Sequence, residues 1–226
     1  LVVGGAITTA FISVYSKLSH NKKAIFRNQL FTIVLLVLGG LSLISMIFAD
    51  YWVALFFGGL SEEAFTLTTQ LYTVMAPASL FLVIGMWLSG LWNVNGRYQL
   101  TAFSTLLFNG LFLLIGVLFT NWWGTFSYAV GAVAGAFSMA LLLYGKWNKQ
   151  YGSLNLQTNF REQGSELWRF TKLSFPILLG GATLQFYFLI HRIYASSLEE
   201  GIIASLNYAT KMTQFPQAIL MTSVTT

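Results

Sequence analysis

GIIASLNYATKMTQFPQAILMTSVTT, residues 201–226, carries a single charge, Lys211, with ten uncharged residues before it and fifteen after. At about 1.5 Å rise per residue, a helix over this stretch sets the ammonium roughly 15 Å from the nearer end, close to the middle of a hydrocarbon core about 30 Å thick. An unpaired charge at that depth costs about 2.5–3.5 kcal/mol on insertion scales, so such a residue faces a protein interior or a water-filled cavity. The stretch therefore predicts a membrane-spanning helix with Lys211 turned inward.

The rest of the chain agrees. Of 226 residues only 8% are charged and 56% are hydrophobic, the mean hydropathy is +0.68, and several uncharged runs exceed the roughly 18 residues that signal a transmembrane helix. This is the composition of an all-α, polytopic membrane protein. Zero cysteines exclude a disulfide framework and thiolate metal sites, and two histidines do not make a zinc site by themselves. The net charge of +5 would suit nucleic acid, but its distribution points to membrane topology instead. Leu1 and Thr226 both fall inside apolar runs, so the chain reads as a fragment, and Leu1–Ser16 lacks the basic start of a signal peptide.

Taken in order, Leu1–Ser16 reads as a partial span, followed by the basic loop of Lys17, Lys22, Lys23 and Arg27. Asn28–Ala49 is a second span. Asp50–Glu63 holds acids and an aromatic patch of Tyr51, Trp52, Phe56 and Phe57, which suits an interfacial turn. The uncharged 33 residues Ala64–Gly96 are too few for two spans and read as one long helix bent at Pro77. The next 48, Tyr98–Gly145, fit two spans joined at Asn121-Trp122-Trp123-Gly124. Lys146–Lys172 is the one long polar stretch and reads as a cytoplasmic linker whose end, Ser165–Lys172, forms a short amphipathic surface helix. Leu173–His191 is the sixth span, Arg192–Glu200 a turn, and Gly201 begins the seventh.

Alternating the loops across the membrane places ten of the twelve Lys and Arg on one face and only Arg192 in the loops of the other. Base-rich loops stay in the cytoplasm, so Leu1 starts outside. No pair of carboxylates, no nucleophile with a base and no cluster of metal ligands shares a depth in the membrane, which counts against an embedded enzyme. His191 reads as an interfacial histidine, and His20 lies in the first basic loop. What remains is a positive interior: Lys211 deep, Arg192 nearer the outer end, and Gln70, Asn109, Gln185, Asn207 and Gln214 within apolar helices. For each Asn or Gln an interhelical hydrogen bond is the plain explanation. For Lys211, with no acid in any span, an anionic ligand is a natural counter-charge. Gly180 and Gly181, with Pro176 just before them, and Pro216 beyond Lys211 mark places where backbone can bend.

At His191-Arg192-Ile193-Tyr194-Ala195-Ser196, Ser205-Leu206-Asn207-Tyr208-Ala209-Thr210-Lys211 and Gln214-Phe215-Pro216, the chain resembles the MurJ/MviN family of lipid II flippases. That family commonly carries Asp-Arg-x-x-Ala-Ser in its seventh helix and Asn-Tyr-Ala-Asp-Arg-x-x-Gln-x-Pro in its eighth. The similarity extends through Ala10–Ser16, Ala76-Pro77, Leu91-Trp92-Asn93, Arg97-Tyr98 and Leu107-Phe108-Asn109, and so covers essentially the whole chain. Lys211 stands where the family usually has arginine, and Arg192 matches its arginine. His191 and Thr210 replace the usual aspartates, and Gly4 falls where a glutamate often stands.

The resemblance implies a two-lobed fold of the MOP superfamily around a central cavity: residues 1–145 as the rest of the N-terminal lobe with five spans, 146–172 as the inter-lobe linker, and 173–226 as the start of the C-terminal lobe. It implies a transporter and not an enzyme, in the bacterial plasma membrane. The substrate would be a polyprenyl-diphosphate-linked cell-wall precursor held by Lys211, Arg192, Asn207 and Gln214, with Pro77, Gly180, Gly181 and Pro216 as bends. It implies no cofactor and no metal, leaves open coupling to an ion, and implies the bilayer and the cell-wall synthesis machinery, but no nucleic acid, as partners. The alternatives are a Wzx-like flippase for O-antigen or capsular repeat units, and, from another class, a membrane transferase acting on the same carrier. A silent scaffold in a cell-wall complex is a third, and the deep lysine counts against it.

Overall fold

A computed structural model describes residues 2–159, 164–196, 198 and 201–225. Among them the chain forms eight helices: α1 (Val2–Tyr15), α2 (His20–Ile47), α3 (Ala49–Phe57), α4 (Glu62–Val94), α5 (Tyr98–Trp123), α6 (Phe126–Tyr151), α7 (Gly164–Ser196) and α8 (Ile202–Thr225). Each of the seven expected spans falls on a helix. By length and apolarity five of them, α2, α4, α5, α6 and α7, are able to cross a membrane. The other two are α1, with 14 residues, and α8, whose 24 residues include the polar series around Lys211. Arg161, Glu162, Glu199 and Glu200, counted in the loop charges, lie outside the described residues, as does the side chain of His20.

Two expectations are corrected. The aromatic stretch after Asp50 is not a turn but the nine-residue helix α3, which follows α2 almost without interruption because the Phe48 N–H still reaches the Ile44 carbonyl at 3.0 Å. Ala49 and Val53 bury its inner side, and Trp52 stacks on Phe56. The separate amphipathic helix at Ser165–Lys172 is instead the first two turns of α7, because nothing in Gly164–Ser196 breaks the helix before the apolar part begins. Phe170 is buried against Phe26, which leaves Trp168 and Arg169 outside.

The long segment is one helix, as its charge-free length requires: α4 runs 33 residues with Pro77 inside it. Ser61 caps its start by accepting from the Ala64 N–H. Beside the proline, the Ser42 hydroxyl of α2 donates to the Ala76 carbonyl at 3.1 Å and ties the two helices together. The α5–α6 hairpin turns at Gly124, whose φ of +53° only glycine adopts without strain. Its helices lie unusually close, since a Cβ built on Gly131 would stand 2.8 Å from the Phe112 carbonyl oxygen, and one on Gly135 would stand 2.6 Å from that of Phe108. Small residues at such crossings let backbones approach where lipid removes the hydrophobic drive for association.

The helices then pack in a chain of neighbours: α5 on α6, α6 on α4, α4 on α2 and α1, and α1 on α7. The densest core is aromatic and gathers the base-rich ends of α1, α2, α4 and α6, with Phe11, Phe26, Trp87, Trp92 and Trp147 fully buried. The Trp92 indole donates to the Leu143 carbonyl at 3.1 Å, which satisfies a polar group that burial would otherwise strand. After α6 the chain runs along α2: Gln29 donates to the Asn159 carbonyl at 2.6 Å, the Gln157 N–H donates to the Thr32 hydroxyl at 2.9 Å, and Leu154 is buried.

Candidate functional site

The sequence names Lys211, Arg192, Asn207 and Gln214, and the structure joins two of them directly. Near the end of α7, Arg192 donates from Nη2 to Asn207 Oδ1 in the first turns of α8, at 3.2 Å. Asn207, Lys211 and Gln214 follow at i, i+4 and i+7, a spacing that puts all three on one face of α8. Arg192 thus opens a polar line that continues through Lys211 to Gln214. Lys211 makes no ion pair among the described residues and is exposed, as is Gln214. Of the described helices, α8 packs only on α7, so this face is open.

A cavity of about 510 Å³ runs along α7, with Leu178, Ala182, Phe186 and Leu189 as apolar wall and Gln185 and Arg192 as its polar members. Gln185 precedes Arg192 by two turns, so the amide and the guanidinium mark one edge of an otherwise greasy groove. His191 stays out of this arrangement. Its Nδ1 lies 2.8 Å from the Tyr187 carbonyl and its ring packs on Tyr187 at 4.2 Å, both within its own helix.

Asn109 donates to the Thr105 carbonyl one turn back, and Gln70 is exposed. Pro77, Gly180, Gly181 and Pro216 all sit inside continuous helices, and a side chain added at Gly180 would meet open space.

Sequence reasoning missed a second polar cavity of about 390 Å³, between α1 and α5 over a floor of α4 and α6. Its wall is hydroxyl-rich: Thr8 donates to the Met86 carbonyl at 3.0 Å, Thr101 donates to Asn93 Oδ1 at 2.9 Å, and Thr9, Ser89 and Thr105 complete it. Its signal was the pairing of Ser89 with Asn93 and of Thr101 with Thr105 one turn apart, which reads as ordinary helix back-bonding until α1 is placed alongside.

A family profile described as "Lipid II flippase MurJ" matches residues 1–226. The chain belongs to the MurJ family. The probable lipid II flippase MurJ of Thermotoga maritima is 26% identical over 224 residues, 98% of this chain and 44% of that protein. The counterpart in Rickettsia prowazekii is 24% identical over 228 residues, again 98% of this chain and 44% of its own length. A solved structure titled lipid II flippase MurJ, inward closed conformation, superposes with a TM-score of 0.78 at 22% identity, over 95% of this chain and 45% of that one. The chain therefore spans about half the length of the MurJ relatives it matches. It has the all-α fold of a MurJ flippase and is a multi-pass membrane protein.

Proposed function

We propose that the protein of which this chain is a part carries a polyprenyl-diphosphate-linked cell-wall precursor, lipid II, from the cytoplasmic to the outer leaflet of the bacterial plasma membrane by alternating access. It acts as a transporter and not as an enzyme. The observation that carries this reading is the polar line on α7 and α8, in a chain of this family: a guanidinium held by an amide, followed by an ammonium with no acidic partner among the described residues. Cations of that kind suit a diphosphate. Lys211 serves as a point charge, for which an ammonium needs no fork geometry, while Arg192, Asn207 and Gln214 offer oriented hydrogen bonds.

In this reading residues 1–145 belong to one lobe, 173–226 open the second, and 146–172 connect them on the cytoplasmic side. The apolar groove beside Arg192 gives a place where a lipid-linked head group enters with its chain still in contact with greasy surface. Pro77, Gly180, Gly181 and Pro216 are the bends that rocking of the lobes would use. Cell-wall synthases are the natural downstream partners, and an ion gradient is a natural driving force.

The test replaces Lys211 in cells that depend on this protein. Lys211→Met keeps the length and apolar bulk and removes an insertion cost, so a purely structural lysine predicts a folded protein and normal growth. The transport reading predicts a folded, inserted protein with arrested growth, rescued by Lys211→Arg. Growth of the Met variant at normal expression overturns it. A translocation assay with defined head groups then separates lipid II from a capsular repeat unit.

A further inference from the structure

On the base-rich side of the molecule the ends of α1, α4 and α6 meet the start of α2 around a cavity of about 370 Å³ that the transport reading does not use. Tyr15, Lys23, Arg27, Asn95, Trp147 and Tyr151 line it, and no acid among the described residues does. The Arg27 guanidinium lies 5.4 Å over the Trp147 ring and the Lys23 ammonium 5.3 Å over the Tyr15 ring, so aromatic faces hold both cations in place. Both residues are half-buried. Arg27 Nε donates to Asn28 Oδ1 at 3.4 Å and the Tyr15 hydroxyl is within its reach, but the ion pair among the described residues belongs to Lys22 and Glu166. Two half-buried cations with no counter-charge among the described residues call for an anion. Trp147, 1% exposed, has an indole N–H with no hydrogen-bond partner among the described residues, as have Trp52 and Trp87 away from the cavity.

We infer that this pocket binds a phosphate ester, with Lys23 and Arg27 taking the anionic oxygens and the rings of Trp147 and Tyr151 forming the wall against which the esterified body lies. Guanidinium and ammonium together supply a fork and a point charge, the combination that suits a phosphate. The pocket lies where the basic first loop meets the helix ends, at the level where aromatic residues border the head groups of a bilayer. An anionic lipid head group and a free phosphate ester share this chemistry. The site is separate from the polar line on α7 and α8 and does not depend on the transport reading.

The helix ends offer the competing explanation, since three C-termini present carbonyls here and cations neutralise them without any ligand. Titration separates the two. The full-length protein, purified in dodecyl maltoside, is unfolded by heat against rising dioctanoyl phosphatidylglycerol, dioctanoyl phosphatidylcholine or glycerol phosphate. The expected result is a saturable rise in the unfolding midpoint with phosphatidylglycerol and none with phosphatidylcholine. Arg27→Gln should weaken the apparent affinity about tenfold, and Lys23→Gln and Trp147→Phe should weaken it by less. The two milder variants carry the test if Arg27→Gln does not fold. An equal, variant-sensitive rise with glycerol phosphate supports the site and assigns it to a soluble ester. Variants that lower the midpoint but leave the lipid dependence unchanged, or an equal response to phosphatidylcholine, overturn the proposal.

Discussion

Lys22 Nζ and Glu166 Oε1 stand 2.9 Å apart and join the first turn of α2 to the first turn of α7 across 144 residues of sequence. One turn further in, Phe26 meets Phe170 edge to face at 6.3 Å. Half of the pair is open to water, so the charge contact alone contributes little, and Glu166→Gln should cost no more than about 1 kcal/mol. Phe170→Ala removes a buried ring and should cost about 3 kcal/mol. Thermal unfolding of both variants in detergent checks the ranking, and a larger loss from Glu166→Gln would reverse it.

The α5–α6 crossing gives a sharper prediction. Gly135→Ala gains helix propensity of about 1 kcal/mol but drives a methyl onto the Phe108 carbonyl, which is backbone and does not yield as a side chain would. The variant should be destabilised by about 1–3 kcal/mol net. Gly110→Ala, at a position with open space around it, should be neutral or slightly stabilising. Equal effects at the two sites would show that the helices are not in close contact.

Membrane orientation is open to direct test. Single cysteines at Lys22, Arg97 and Lys149 should resist an impermeant maleimide in intact cells, and one at Ser61 should react. Labelling at Lys149 from outside would invert the arrangement.

The Arg192–Asn207 contact predicts an asymmetry between its partners. Asn207→Ala frees the guanidinium without removing charge, so transport should fall a few-fold. Arg192→Ala should lower it further, and in Arg192→Ala the second change at Asn207 should have little added effect. Additive losses measured in one transport assay would show that the two act separately.

The helical order of the chain was legible because charge and apolarity alone mark a membrane span: the run from Ala64 to Gly96 and the tryptophans before Gly124 both found their places. Boundaries were less so. The sequence ends a span at the first lysine, Lys146, whereas α6 continues to Tyr151 because Trp147 is buried against Trp92. Likewise Ser165–Lys172 is polar on average, and only the placement of Phe170 on Phe26 shows why it prolongs α7. At the site, the sequence singled out Asn207, Lys211 and Gln214 one by one, and the helix α8 sets them at i, i+4 and i+7 on one face. The hydroxyl wall from Thr8 to Thr105 was hidden, since it joins helices far apart in sequence and each of its residues looks ordinary alone.

The contacts of α7 span its length: Phe170 is buried on Phe26 at the base-rich end, α1 and α3 pack on the same helix, and Ala195, three residues beyond Arg192, is buried. Phe170 and Arg192 lie roughly 33 Å apart along the axis, so one continuous helix ties the aromatic core at the base-rich end to the polar line that begins at Arg192.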